Sequence, residues 1–227
     1  MTAATWWTYE RRRCGRQVFV LPVLAALLAY AAVAADPAGG AMLGRVLLAC
    51  ALPAATALAC AAVVAHDSLL ELHLSLPTPY PRTVARRLVW PAAVTAVTAV
   101  ALVALVAATG HHVDLWSTLL QLAGLTALLS GGAVWMTVRS GSAAPATGLV
   151  VATVMAKLLL VDRAVPEGAS QALPALLGGA LLTALALRDL APGGPAVRDG
   201  VVLGRGPRKG VRAGHATGRQ VGTEETR

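Results

Sequence analysis

The chain has 227 residues, 56% of them apolar and 13% charged, with a mean hydropathy of +0.66; soluble domains carry about a quarter of charged residues, so this composition argues against a soluble fold and for a membrane protein. The formal charge of +8 comes from seventeen Arg and two Lys set between apolar runs and in the C-terminal stretch, not along one folded face. Membrane topology explains that pattern better than nucleic acid does, and the absence of Asn and Ile beside abundant Ala, Val, Leu and Arg points to a GC-rich bacterial genome.

Residues 1–16 place Trp6, Trp7 and Tyr9 ahead of Arg11, Arg12, Arg13 and Arg16, the composition of a short interfacial segment on the cytoplasmic leaflet. The first apolar run, Gln17 to Ala35, ends in small residues before Asp36, which is the order of parts in a signal peptide; its length and the further spans after it favour an uncleaved first span. Val46 to Ala65 is the second run and holds Cys50 and Cys60. With Cys14 they make an odd count without metal-ligand spacing, read as small buried residues with no disulfide and no metal. Leu88 to Thr109, Leu115 to Val138, Thr147 to Val161 and Ala172 to Leu187 follow, the last two being the shortest.

Each run is near the length a helix needs to cross a hydrocarbon core of ~30 Å, and none shows the alternation of barrel strands. The fold expected over residues 17–187 is therefore all-α, a polytopic transmembrane bundle of about six spans. Arg82, Arg86, Arg87, Arg139 and the arginines of residues 188–227 gather on one side of such a bundle, with only Arg45 and Arg163 on the other. The positive-inside rule then puts both termini in the cytoplasm, in a bacterial cytoplasmic membrane. Residues 188–227 are rich in Gly, Pro and Arg with almost no periodic apolar residues, the composition of a disordered basic tail.

The loop from His66 to Arg87 reads HDSLLELHLSLPTPYPRTVARR. On a helical wheel Leu69, Leu72 and Leu76 align, with Leu70 and Leu74 beside them and Asp67, Ser68, Glu71 and Ser75 opposite. Pro77, Pro79 and Pro81 then stop that helix and make a stiff elbow ahead of Arg82. An amphipathic helix of this kind either docks on a partner or lies on the bilayer surface.

Glu71, then Leu74-Ser75-Leu76-Pro77, then Arg82, Arg86 and Arg87 resemble the corresponding loop in permease subunits of type-2 ABC transporters, the exporter-like group with six spans per half. Asp67-Ser68 stands where those permeases often have Gly-Thr. The resemblance covers about residues 5–190 in layout and about twenty residues in sequence. It implies a permease that couples ATP hydrolysis by a separate ATPase subunit to export. In that reading Leu69, Glu71, Leu72, Ser75, Leu76, Pro77 and Arg82 contact the ATPase, and a second permease subunit, identical or different, completes the path. ATP and Mg²⁺ would belong to the partner, because the chain has no G-x-x-x-x-G-K-[ST] loop; no cofactor, metal or catalytic residue is expected here.

Other clusters are weaker. His111, His112 and Asp114 offer metal-ligand types, but Asp114 is better placed to cap the fourth span. Lys157 is the clear ionisable residue inside a span; it either snorkels to headgroups or contacts the transport path. Thr95, Thr98, Gln121, Thr126 and Ser130 supply polar atoms for bonds between helices, and Gly131-Gly132 and Gly178-Gly179 permit close helix approach. A carrier or channel working without ATP, or a membrane scaffold, are the other functional readings.

Overall fold

The structure, a computed structural model, describes residues 17–35, 42–65, 80–109, 114–164, 169–191 and 194, and every element within them is a helix. α1 runs Gln17–Ala34, α2 Met42–Ala65, α3 Tyr80–Ala108 and α4 Leu115–Ser140. α5, Ala144–Ala156, continues through a π-helical turn, Lys157–Val161, into a closing turn, Asp162–Ala164; α6 is Ala169–Asp189. Five stretches, Val46–Ala65, Arg82–Ala108, Leu115–Ser140, Ala144–Val161 and Ser170–Asp189, are long and apolar enough to cross a membrane, the makeup of a multi-pass membrane protein.

Helix ends, not the apolar runs alone, set these lengths. Val18–Ala34 in α1 is a further apolar helix, just short of that length. α4 stops at Gly141, whose φ of 66° is left-handed and whose N–H bonds the Thr137 carbonyl at 2.9 Å. α5 restarts at once with Pro145 in its first turn, where a missing N–H breaks no intrahelical bond. At the other end of α4 Asp114 is the N-cap, its carboxylate accepting from the Trp116 N–H at 3.3 Å. α3 begins at Tyr80, eight residues before the apolar run. Pro81 falls in its first turn, so it opens α3 instead of closing the expected elbow, and Arg82, Arg86 and Arg87 are helical.

α4 is the hub, packed on α6, α2, α5 and α3; α2 is the second, touching α1, α3, α4 and α5. The face that α1 buries is Val18, Pro22, Ala25 and Ala29, while Val20, Val23, Leu24, Leu27 and Leu28 are exposed. Leu173, Leu177 and Leu181 make a similar exposed ridge on α6. A helix apolar on its outer face as well as its inner one is solvated by lipid, not water. Pro22, Pro53 and Pro91 lie within helices and are fully buried, held where neighbouring helices surround the interrupted backbone.

The tightest contact joins α4 and α6, which run parallel. A Cβ on Gly124 would stand 2.7 Å from the Ala172 carbonyl oxygen, and one on Gly131 2.5 Å from that of Gly179. Gly124 and Gly131 are seven residues apart, as are Ala172 and Gly179, so the small residues recur on one seam of each helix. The sequence signal for this seam is the paired glycines at 131–132 and 178–179, of which Gly131 and Gly179 meet the opposing backbone.

Candidate functional site

A slot of about 830 Å³ separates α3 from the α4–α6 pair, with α2 as its floor. Its α3 wall is Leu88, Ala92, Thr95, Ala96, Ala99 and Val100. α4 contributes residues from Leu119 to Val134, and α6 residues from Leu176 to Leu187. Ala92, Ala96 and Val100 on one wall and Ala180 and Ala184 on the other are exposed, so the slot opens sideways on the outer surface of the bundle. The reason it stays open is local: α3 packs on α1 and α2 but barely touches α6.

Hydroxyls are the polar side chains that line it: Thr56 and Thr95 at the floor, Thr126, Ser130 and Thr183 on the far wall. Thr56 Oγ1 lies 2.8 Å from the Leu52 carbonyl and 2.8 Å from Thr95 Oγ1, which lies 2.7 Å from the Pro91 carbonyl. Two hydroxyls have two protons for these three contacts, so one of the three is unmade at any moment. The pair clasps α2 to α3 beside Pro53 and Pro91, the points where each helix lacks a backbone bond. Ser130 donates to the Thr126 carbonyl at 2.6 Å and Thr183 to that of Gly179 at 2.9 Å.

Sequence reasoning identified Thr95 but not its partner Thr56, 39 residues away on another helix. Thr98, expected to supply a polar atom for bonds between helices, bonds its own helix instead, at the Val94 and Thr95 carbonyls. Gln121 does reach across, its amide donating to Gln171 on α6 at 3.4 Å.

Lys157 stands apart from the slot, on α5 behind the α2–α4 core. Its side chain is 9% exposed and its Nζ meets Asp162 Oδ1 at 2.6 Å. The ammonium runs toward the end of the helix, as a snorkelling lysine would, but inside the protein and onto a carboxylate. The π turn makes this contact: at 3.6 residues per turn, residues five apart diverge by roughly 140°, whereas the wider i→i+5 turn restacks them. The Asp162 N–H bonds the Lys157 carbonyl in that pattern. Asp162 is thus a site residue that an α-helical reading of the sequence passes over.

Arg82 and Arg86 are exposed on the first turns of α3. Val84, Leu88, Val134, Val138, Ala186 and Leu190 pack together there, so the α3 N-terminus and the C-termini of α4 and α6 share one end. Arg139 lies over the Trp135 ring at 5.2 Å from its centre, and Arg188 is exposed. Leu69, Glu71, Leu72, Ser75, Leu76 and Pro77 lie outside the described residues, as do residues 1–16, His111, His112 and most of the basic tail. Among the described residues no group of three His, Cys, Asp or Glu could hold a metal, and Cys50 and Cys60 are buried free thiols. Compared with known proteins, the chain matches no family model, no curated protein and no solved structure.

Proposed function

We propose that the chain is the membrane subunit of an ABC-type exporter, working with a separate ATPase subunit and a second permease subunit in a bacterial cytoplasmic membrane, with six spans and both termini inside. The observation that carries this reading is the place of the Glu71 and Leu74-Ser75-Leu76-Pro77 loop: it joins α2 and α3, the two helices clasped by Thr56 and Thr95 on one side of the slot. α3 extends as a helix from Leu88 back to Tyr80, about 12 Å beyond the apolar run. A displacement of the loop by an ATPase would reach the slot through this rigid lever, Arg82 at its tip. Glu71 and Arg82 would pair with the partner's rim while Leu69, Leu72 and Leu76 fill its groove.

Detergent purification from the native host tests this. A nucleotide-binding ATPase is expected to accompany the chain, and Glu71→Lys or Leu72→Asp to reduce its recovery at least about tenfold, a loss of the size that follows from burying a wrong charge in an interface. A preparation without any such ATPase contradicts the exporter reading. Association and transport untouched by Glu71→Lys would remove only the coupling role. A carrier working without ATP is the second reading, favoured by the buried Lys157–Asp162 pair, since ionisable groups within membrane helices tend to be functional. ATP-free flux in proteoliposomes would support it.

A further inference from the structure

We propose that the slot between α3 and the α4–α6 pair binds an anionic diacyl lipid, with its acyl chains along the alanine walls and its phosphate at the arginine end. The binding does not depend on the exporter reading.

The shape suits acyl chains. Along α3 the slot extends from Leu88 to Val100 and along α4 from Leu119 to Val134, about 18 to 22 Å of helix. About 830 Å³ over that length makes a long slot that is open along one side. Flexible hydrocarbon chains can follow such a slot along its whole length. The sideways opening between Ala96 and Ala180 lets such chains enter from the bilayer.

Polarity agrees. Among the described residues no charged side chain lines the slot, and Thr56, Thr95, Ser130 and Thr183 place their hydroxyls on backbone carbonyls or on each other. A polar solute would leave its own hydrogen-bonding groups unmet there. Charge then distinguishes the two ends. Arg87 precedes the wall residue Leu88, Arg188 follows the wall residue Leu187, and Arg82, Arg86 and Arg139 stand at the same end. Asp189 is the acidic residue there among the described residues. Several guanidinium groups beside an apolar slot match a phosphate that carries hydrocarbon chains.

The test uses the full chain in nanodiscs of equal phosphatidylglycerol and phosphatidylcholine, released into a mass spectrometer under native conditions. Retained phosphatidylglycerol is expected to exceed phosphatidylcholine by about tenfold. Ala96→Phe with Ala180→Phe, both at exposed positions that accept bulk, should reduce retained lipid at least about fivefold, and Leu177→Phe, outside the slot, should not. Arg82→Gln with Arg188→Gln should bring the two lipids near parity while retention persists. Circular dichroism and elution volume confirm that each variant is folded. Equal retention of both lipids, unchanged by the phenylalanines, would mean annular lipid only and overturn the proposal. So would a dimer without lipid that the phenylalanine pair dissociates, since a second copy would then fill the slot.

Discussion

Asp162→Leu is expected to lower the stability of the bundle by about 3 to 5 kcal/mol, the penalty for leaving a buried charge without its partner. The stranded group would be the Lys157 ammonium, whose side chain is 9% exposed, against 21% for Asp162. Lys157→Met should cost less, about 1 to 2 kcal/mol, because the more exposed carboxylate left behind is nearer to solvation. The double variant, Lys157→Met with Asp162→Leu, should return to within about 1 kcal/mol of the parent, since a buried ion pair contributes little net once both charges are gone. Reversible unfolding in lipid bicelles measures all three. Additive effects of the two changes, with a coupling below about 0.5 kcal/mol, would mean that the two groups do not depend on each other.

The second large effect is expected at the α4–α6 seam. A Cβ on Gly179 would fall on the Ala127 carbonyl carbon and oxygen and on the Leu128 nitrogen, so even alanine forces the helices apart. Overpacking usually costs about 1 to 3 kcal/mol; against opposing backbone, Gly179→Leu should lose at least about 3 kcal/mol, a large share of a stability that is typically about 5 to 15 kcal/mol. Gly148 on α5 is the internal control, because a Cβ there meets nothing within 4 Å. Gly148→Ala should leave stability unchanged or raise it by up to about 1 kcal/mol. The same unfolding measurement compares the pair, and a Gly179→Leu variant as stable as Gly148→Ala would refute the close approach.

These two sites were unequally legible. Gly131 and Gly179 stand out in the sequence because glycine inside an apolar helix is useful chiefly where backbones meet, and the structure brings them face to face. Asp114 was legible for a similar reason, a capping residue directly before an apolar run. Asp162 was not, because its contact with Lys157 needs a π turn, and no residue in Lys157–Val161 announces one. Thr56 was hidden because a bond between two helices depends on their packing, not on spacing within either. The apolar runs located the helices, but Pro81 and Pro145 in first turns lengthened α3 and α5 beyond what hydropathy marks. The slot itself has no sequence signature: alanines facing a gap and alanines facing a neighbour read alike.

Orientation decides whether the loop between α2 and α3 can meet a cytoplasmic partner. With Cys14, Cys50 and Cys60 replaced by alanine, single cysteines at Thr2, Ser68, His112, Ser142, Gly168 and Thr223 can be probed in intact cells with a membrane-impermeant maleimide. Six spans with internal termini require His112→Cys and Gly168→Cys to label from outside, and the other four to label only after permeabilisation. External labelling at Ser68→Cys would place the loop on the wrong side for any ATPase and contradict the proposed function.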